Sequence, residues 1–182
     1  TEPWGLPLAS ADHGATGRGP RAVVDVGDGR GVMVKQCLRG GWLARLNRAR
    51  YASARRFLRE LDVGRRAAAA GCPVLAAVGV VFRRARPGVE AWSMSPYLEG
   101  ARDLSLEMRR LTDPADREDL LGRALAAVEI LYRRGLHHRD LNLGNLLVAG
   151  QHQGGERVIR VIDLDRARWS GRPLPRRVGE PR

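Results

Sequence analysis

The sequence predicts an α+β fold of two small lobes: an antiparallel sheet with one helix over residues 1–98, then a reduced helical portion with a polar loop and a short hairpin over 99–182. Three observations predict it. Short apolar segments separated by Gly-, Asp- and Pro-rich turns fill the first half. One strongly capped helix dominates the second. Between that helix and a pair of apolar strands, "GLHHRDLNLGNLLV" (135–148) places His137, His138, Arg139, Asp140, Asn142 and Asn145 in one stretch.

In chain order, "DHGATGRGP" (12–20) is a Gly-rich loop, and "RAVVDV", "GDGRG" and "VMVKQC" read as a hairpin whose second strand ends near Lys35. "LRGGWLARLNRAR" is basic and irregular. Residues 52–70 carry a helical pattern with Phe57, Leu58 and Leu61 on one face, stopped by Gly71 and Pro73. Strands over 77–84 and 90–97 are joined by "RARPG", and "PYLEGARD" reads as a connector. Asp113 caps a helix that starts at Pro114, ends at Gly135 and buries Leu121, Leu125, Val128 and Leu131–Tyr132. "NLLVAG" and "RVIRVID" read as two strands around "GQHQGGE". The tail after Asp165 is rich in Arg and Pro and shows no core pattern.

Composition narrows the function classes. The 182 residues suffice for one domain with a real core. The longest apolar run, Pro73 to Phe82, is about half of the roughly 20 residues a membrane span needs. No charged-then-apolar leader indicates secretion. Cys37 and Cys72 have no disulfide or metal spacing and read as buried or half-buried thiols of a reducing cytosol. The net charge of +12 points to a polyanionic partner. Interleaved aromatics and any nucleic-acid motif are missing, so no nucleic acid is expected. Of the 32 basic residues 31 are arginine, which singles out Lys35 as a position that needs a compact ammonium on a flexible stem.

Four features then line up: Gly14, Gly17 and Gly19 ahead of a strand; Lys35 on the next strand, with Glu60 the only glutamate between Lys35 and Glu90; His138-Arg139-Asp140 with Asn145 five residues after the aspartate; and Asp163 at the end of "VIRVI". Each suits phosphoryl transfer, in which positioning and charge neutralisation do most of the catalysis. Glycine admits phosphates to the backbone, a lysine held by a glutamate pairs with them, and an aspartate takes a hydroxyl proton. Asparagine and aspartate offer hard oxygens to Mg²⁺. The Gly spacing, GxxGxG, is a weak signal. Asp165 competes with Asp163 for its role. HxD with Asn at the fifth position is the strong signal.

These motifs resemble the protein-kinase-like superfamily and, within it, the lipopolysaccharide kinases of the 3-deoxy-D-manno-octulosonic acid (Kdo) kinase type, over roughly residues 14–169. "LRGGWLARLNRARY" is similar to that family's "RRGG…RL…Y", "GCPVLAAVG" to "GLPVP.PVA", and "HHRDLNLGNLLV…VIDLDRAR" to "HADLN..NIL…IDFDR". The resemblance implies a compact two-lobe kinase domain that uses ATP and Mg²⁺. By it, Lys35 anchors the phosphates, Glu60 orients Lys35, Asp140 is the base, and Asn145 and Asp163 are metal ligands. Pro96, Tyr97, Leu98 and Glu99 form the hinge against adenine.

Departures bear on the acceptor. Asn142 stands where protein Ser/Thr kinases usually carry lysine, the metal motif reads Asp163-Leu164-Asp165 rather than DFG, and 19 residues follow Asp163. The expectation is therefore a sugar kinase acting on Kdo of a lipid A precursor. It would be cytoplasmic, with segment 39–66 against an anionic glycolipid or the cytoplasmic face of the inner membrane. The alternatives are another small-molecule or atypical protein kinase, a pseudokinase scaffold, and, for segment 39–66, a merely solvated basic face.

Overall fold

β1 (Ala9–Ser10) lies at one edge of the N-terminal sheet and pairs with β2 (Arg21–Asp25), which forms the expected hairpin with β3 (Gly31–Gln36). The turn closes because Asp25 Oδ1 accepts from the Gly27 N–H at 2.8 Å and Val26 N–H donates to Arg30 O at 2.9 Å. The structure is a computed structural model and describes residues 9–10, 21–27, 30–38, 49–150 and 156–173. Gly14, Gly17 and Gly19, most of the basic stretch after Cys37, the 151–155 turn and the tail beyond 173 lie outside the described residues.

β3 and β4 (Arg50–Tyr51) share one edge of β6 (Val89–Pro96), and β5 (Gly79–Arg84) takes the other. Gln36 faces Trp92, Cys37 N–H donates to Ala91 O at 2.9 Å, and Arg50 then faces Glu90. β4 thus resumes the edge that β3 leaves.

α1 (Arg55–Ala69) forms as expected and ends at Gly71, whose φ of +77° suits glycine. Its buried residues are Phe57, Val63, Gly64 and Ala67, whereas Leu58 is 52% exposed. The predicted face therefore held at Phe57 and failed at Leu58. After α1 the chain meets β10 (Val158–Val161): Val161 N–H donates to Pro73 O at 2.8 Å and Leu75 N–H to Val161 O at 2.9 Å.

The expected connector over 96–103 ends in β7 (Arg102–Asp103), and an unpredicted α2 (Leu104–Arg110) follows it, capped by Asp103 Oδ1 on the Leu106 N–H at 2.8 Å. α3 (Pro114–Arg133) starts as predicted, with Asp113 Oδ1 accepting from Ala115 N–H at 2.9 Å. Its buried row is Leu120, Ala124, Ala127 and Leu131, while Leu121 and Leu125 are 40% and 70% exposed. Leu131 is buried as predicted, and the rest of the buried face lies one residue before the predicted positions. Two alanines let the helix approach its neighbours, and the larger leucines point outward. Gly135 ends α3 at φ +83°, where a Cβ would lie 2.4 Å from Arg172 O.

β8 (Leu136–His137) pairs with β11 (Arg168–Trp169), and β9 (Leu146–Ala149) bridges β10 and β7. The chain after Asp165 is therefore built into the fold as far as residue 173, with Ala167 buried and Trp169 packed on the core. A large core joins α3, β8–β10 and the second half of α1; a small one joins Tyr51, Phe57 and Ala91. α1 contributes to both.

Candidate active site

The loop after β8 is wired by its own polar residues. His138 is 3% exposed. Its Nδ1 accepts from the Asp140 N–H at 3.3 Å, so Nε2 carries the proton and donates to Ile162 O at 3.1 Å. Asn142 caps the 3-10 turn Leu143–Asn145: its Oδ1 accepts from Gly144 N–H at 2.9 Å and its Nδ2 donates to Asp140 O at 3.0 Å. Asn145 Nδ2 donates to the same carbonyl at 2.8 Å, and Ile162 N–H donates to Asn145 O at 3.0 Å. Ile162 is thus held by His138 on its carbonyl and by Asn145 on its N–H, and the next residue is Asp163.

This wiring leaves specific atoms free. Asp140 and Asp163 are exposed, and neither carboxylate has a hydrogen bond or ion pair among the described residues. With Nδ2 spent, Asn145 presents its Oδ1. Asp163 has φ 60° and ψ 62°, the one positive φ outside glycine among the described residues. Such a conformation is unfavourable for a residue with a Cβ and recurs where surrounding structure imposes it, often at functional sites. Here the residue follows directly on the two-sided grip on Ile162. The Asn145 and Asp163 oxygens are a donor set suited to Mg²⁺, which commonly takes one or two protein oxygens together with substrate phosphates. No group of three or more His, Cys, Asp or Glu among the described residues forms a closed metal cage.

Asp165 differs from Asp163 in being paired. Its carboxylate takes both prongs of the Arg56 guanidinium, Nε to Oδ1 at 2.5 Å and Nη2 to Oδ2.

The upper side of the site is looser. Lys35 is half-buried on β3, opposite Ser93 on one strand and Arg21 on the other. Glu60 on α1 is close enough to feel Lys35, but no ion pair joins them among the described residues. Burial, reinforced by Asp165 and Asp163, pushes the Glu60 carboxyl up to about 7, against the pull of Arg56 and Lys35. Arg21 escaped the sequence reading; counting the hairpin register back from its turn finds it, since directly opposite residues share a face.

Between β6 and β7, the Tyr97 N–H donates to Gly31 O at 2.8 Å and Pro96 has no N–H. Of the four expected hinge residues, Leu98 and Glu99 keep unengaged N–H groups among the described residues. Leu98 O accepts from Ala101 N–H at 3.1 Å. The His137 and Tyr132 ring centres lie 6.1 Å apart, and Arg139 is exposed without a partner among the described residues. No helix among the described residues is long and apolar enough to cross a membrane.

A two-part arrangement, with a lysine-bearing sheet and helix above and an HxD loop, Asn and Asp below, is that of the protein-kinase-like fold. A solved structure described as WaaP in complex with acyl carrier protein shares it, with a TM-score of 0.55 and 24% identity over 85% of this chain. Within that class, the chain belongs to the lipopolysaccharide kinase (Kdo/WaaP) family, whose model matches residues 4–177. It spans 60% of the length of the WaaP chain. A search of curated proteins returns no match.

Proposed function

We propose that this chain is an ATP-dependent kinase of lipopolysaccharide core assembly, transferring a γ-phosphoryl group to a hydroxyl of an anionic sugar acceptor, Kdo on a lipid A precursor. The observation that carries this reading is the grip on Ile162, which ties the loop of Asp140 and Asn145 to the strand end that leads into Asp163. We read the chain as one catalytic domain with lobes meeting near residues 98 and 99.

In this reading Asp140 takes the proton of the acceptor hydroxyl as its oxygen reaches the phosphorus and the bond to the β-phosphate oxygen breaks. Lys35, and Arg21 opposite it, neutralise the polyphosphate. Glu60 restrains Lys35, and Leu98 and Glu99 offer backbone groups to adenine. Asn145 and Asp163 would hold Mg²⁺, which supplies charge neutralisation at the phosphates. The loop glycines Gly14, Gly17 and Gly19 would cover them. Asn142, spent as a cap, is not free to play the part that lysine plays in protein kinases, and this favours a non-protein acceptor.

Acceptor charge is matched by Arg139, Arg166 and Arg168. All three are exposed, have no described partner, and flank Asp140 and Asp163 in the chain. Arg55, Arg59 and Arg65 on α1 and Arg84 on β5 extend a basic surface suited to anionic headgroups at the cytoplasmic face of the inner membrane. The test is transfer from labelled ATP with Mg²⁺ to a panel of Kdo-lipid, aminoglycoside and protein acceptors. Labelling of the Kdo-lipid alone is expected. Labelling of another acceptor replaces the substrate assignment. Failure of Mg·ATP to raise the melting temperature would favour a non-catalytic scaffold.

A further inference from the structure

We propose that the Arg56–Asp165 ion pair is a latch fastening α1 to the turn that carries Asp163, so that Glu60 and Asp163 are positioned as one body. The inference rests on the kinase reading above and concerns positioning residues that do not touch substrate.

Arg56 lies one helical turn before Glu60, on the same face of α1. Asp165 lies two residues beyond Asp163. Their forked contact is the arrangement that fixes orientation as well as distance. Arg59 Nη2 adds a longer contact, 3.5 Å, to the Asp165 carbonyl. The guanidinium is steadied from above: its carbon lies 5.5 Å from the Tyr51 ring centre and 5.8 Å from that of Phe57, and these rings meet edge to face at 4.7 Å. Arg56 therefore connects the aromatic cluster of the N-terminal sheet to the metal-side turn.

Two turns further along α1, Gly64 makes a second junction. A Cβ there would lie 3.3 Å from Ala76 Cβ and 3.4 Å from Leu164 Cδ1, and Leu164 is 4% exposed. The helix thus meets the turn at a charged point and an apolar one, with Glu60 between them. The latch also neutralises one of the two carboxylates that face Glu60.

The pair is half-open to solvent, with Arg56 50% and Asp165 19% exposed. Such pairs add little to folding stability. Its removal should disturb geometry more than the fold.

The test uses Arg56→Ala, Arg56→Lys, Asp165→Asn and the Arg56→Ala/Asp165→Asn double variant. It measures kcat, KM for Mg·ATP, the Mg²⁺ requirement, melting temperature, and hydrogen exchange over 55–60 and 163–167. Each single variant should lose about 10- to 100-fold in kcat, as expected for misplacement of groups around the reacting atoms. The double variant should lose no more than either single one. Lysine should not rescue, because it has no fork. Melting should shift by only a few degrees, about 3 °C or less, while exchange rises in both segments together. Arg56→Ala turning over within about twofold of wild type overturns the latch. So does Asp165→Asn being far worse than Arg56→Ala with a raised Mg²⁺ requirement, which would make Asp165 a metal ligand. A wild-type chain with no transfer at all defeats the kinase reading instead. The exchange measurement then still decides the latch, and unchanged exchange in Arg56→Ala overturns it.

Discussion

The two sides of the site are held by different means. Below, the loop of Asp140 and Asn145 is joined by a connected set of hydrogen bonds through His138, Asn142 and Ile162 to the residue before Asp163. Above, Lys35 and Glu60 sit on separate elements and sense each other only through space. A metal ligand set and a base need their geometry fixed beforehand. A flexible ammonium that meets a polyphosphate gains from waiting for its partner. On the kinase reading, the lower side is prebuilt, and the upper side is completed when nucleotide binds.

The largest effect should come from the lower side. Asp140→Ala is expected to reduce transfer by about 10²- to 10⁴-fold while Mg·ATP still stabilises the protein; undiminished turnover would remove the mechanism. Next, His138→Phe replaces the imidazole by a phenyl ring, loses both hydrogen bonds and strands two partly buried backbone groups. It should cost about 2–4 kcal/mol in denaturant unfolding, together with most of the activity. A neutral result would mean that the wiring through Ile162 is dispensable.

The upper side should behave otherwise. Lys35→Arg preserves charge but not shape, so KM for Mg·ATP should rise about tenfold with no measurable change in melting. A cooperative loss of stability there would erase the contrast between the two sides.

The smallest effect is a pH dependence. Glu60 has a folded-state pKa of about 7, above its ordinary 4.5. A carboxyl raised in this way favours the fold below pH 4.5, and that contribution is lost as pH rises through 7. Urea titrations should show wild type losing on the order of 1–2 kcal/mol across this window relative to Glu60→Gln. Parallel curves for the two proteins would contradict the placement of Glu60 among Asp163, Asp165 and Lys35.

The lower side was also the more legible in sequence. "HRDLNLGN" can be read because the spacing of its polar residues is itself chemistry. Asp163 follows from an apolar strand ending in a carboxylate. What the sequence could not disclose is that His138 and Ile162 are partners, since that bond joins residues 24 apart. Nor could it show that Asp165, unlike Asp163, is paired with an arginine 109 residues away. On α3, Leu121, Leu125, Val128 and Tyr132 have the same periodicity as Leu120, Ala124, Ala127 and Leu131; hydrophobicity favoured the larger set, and close packing selected the smaller. β4, β7, β8 and β11 are two residues each, too short to carry any alternation. α2, at seven residues, spans about two turns and went unread.

The shared edge of β6 has a consequence for engineering. Gln36 faces Trp92 and Arg50 faces Glu90, so the points where the chain departs and returns lie about 7 Å apart along the strand. The register on either side is set by the pairs that β6 makes with β3 and with β4. Residues 39–48 are thus a natural stretch to exchange for a short Gly-Ser tether, or for the matching stretch of another member of this family, with Lys35 and α1 left in place. Acceptor choice could then be tested by transplantation.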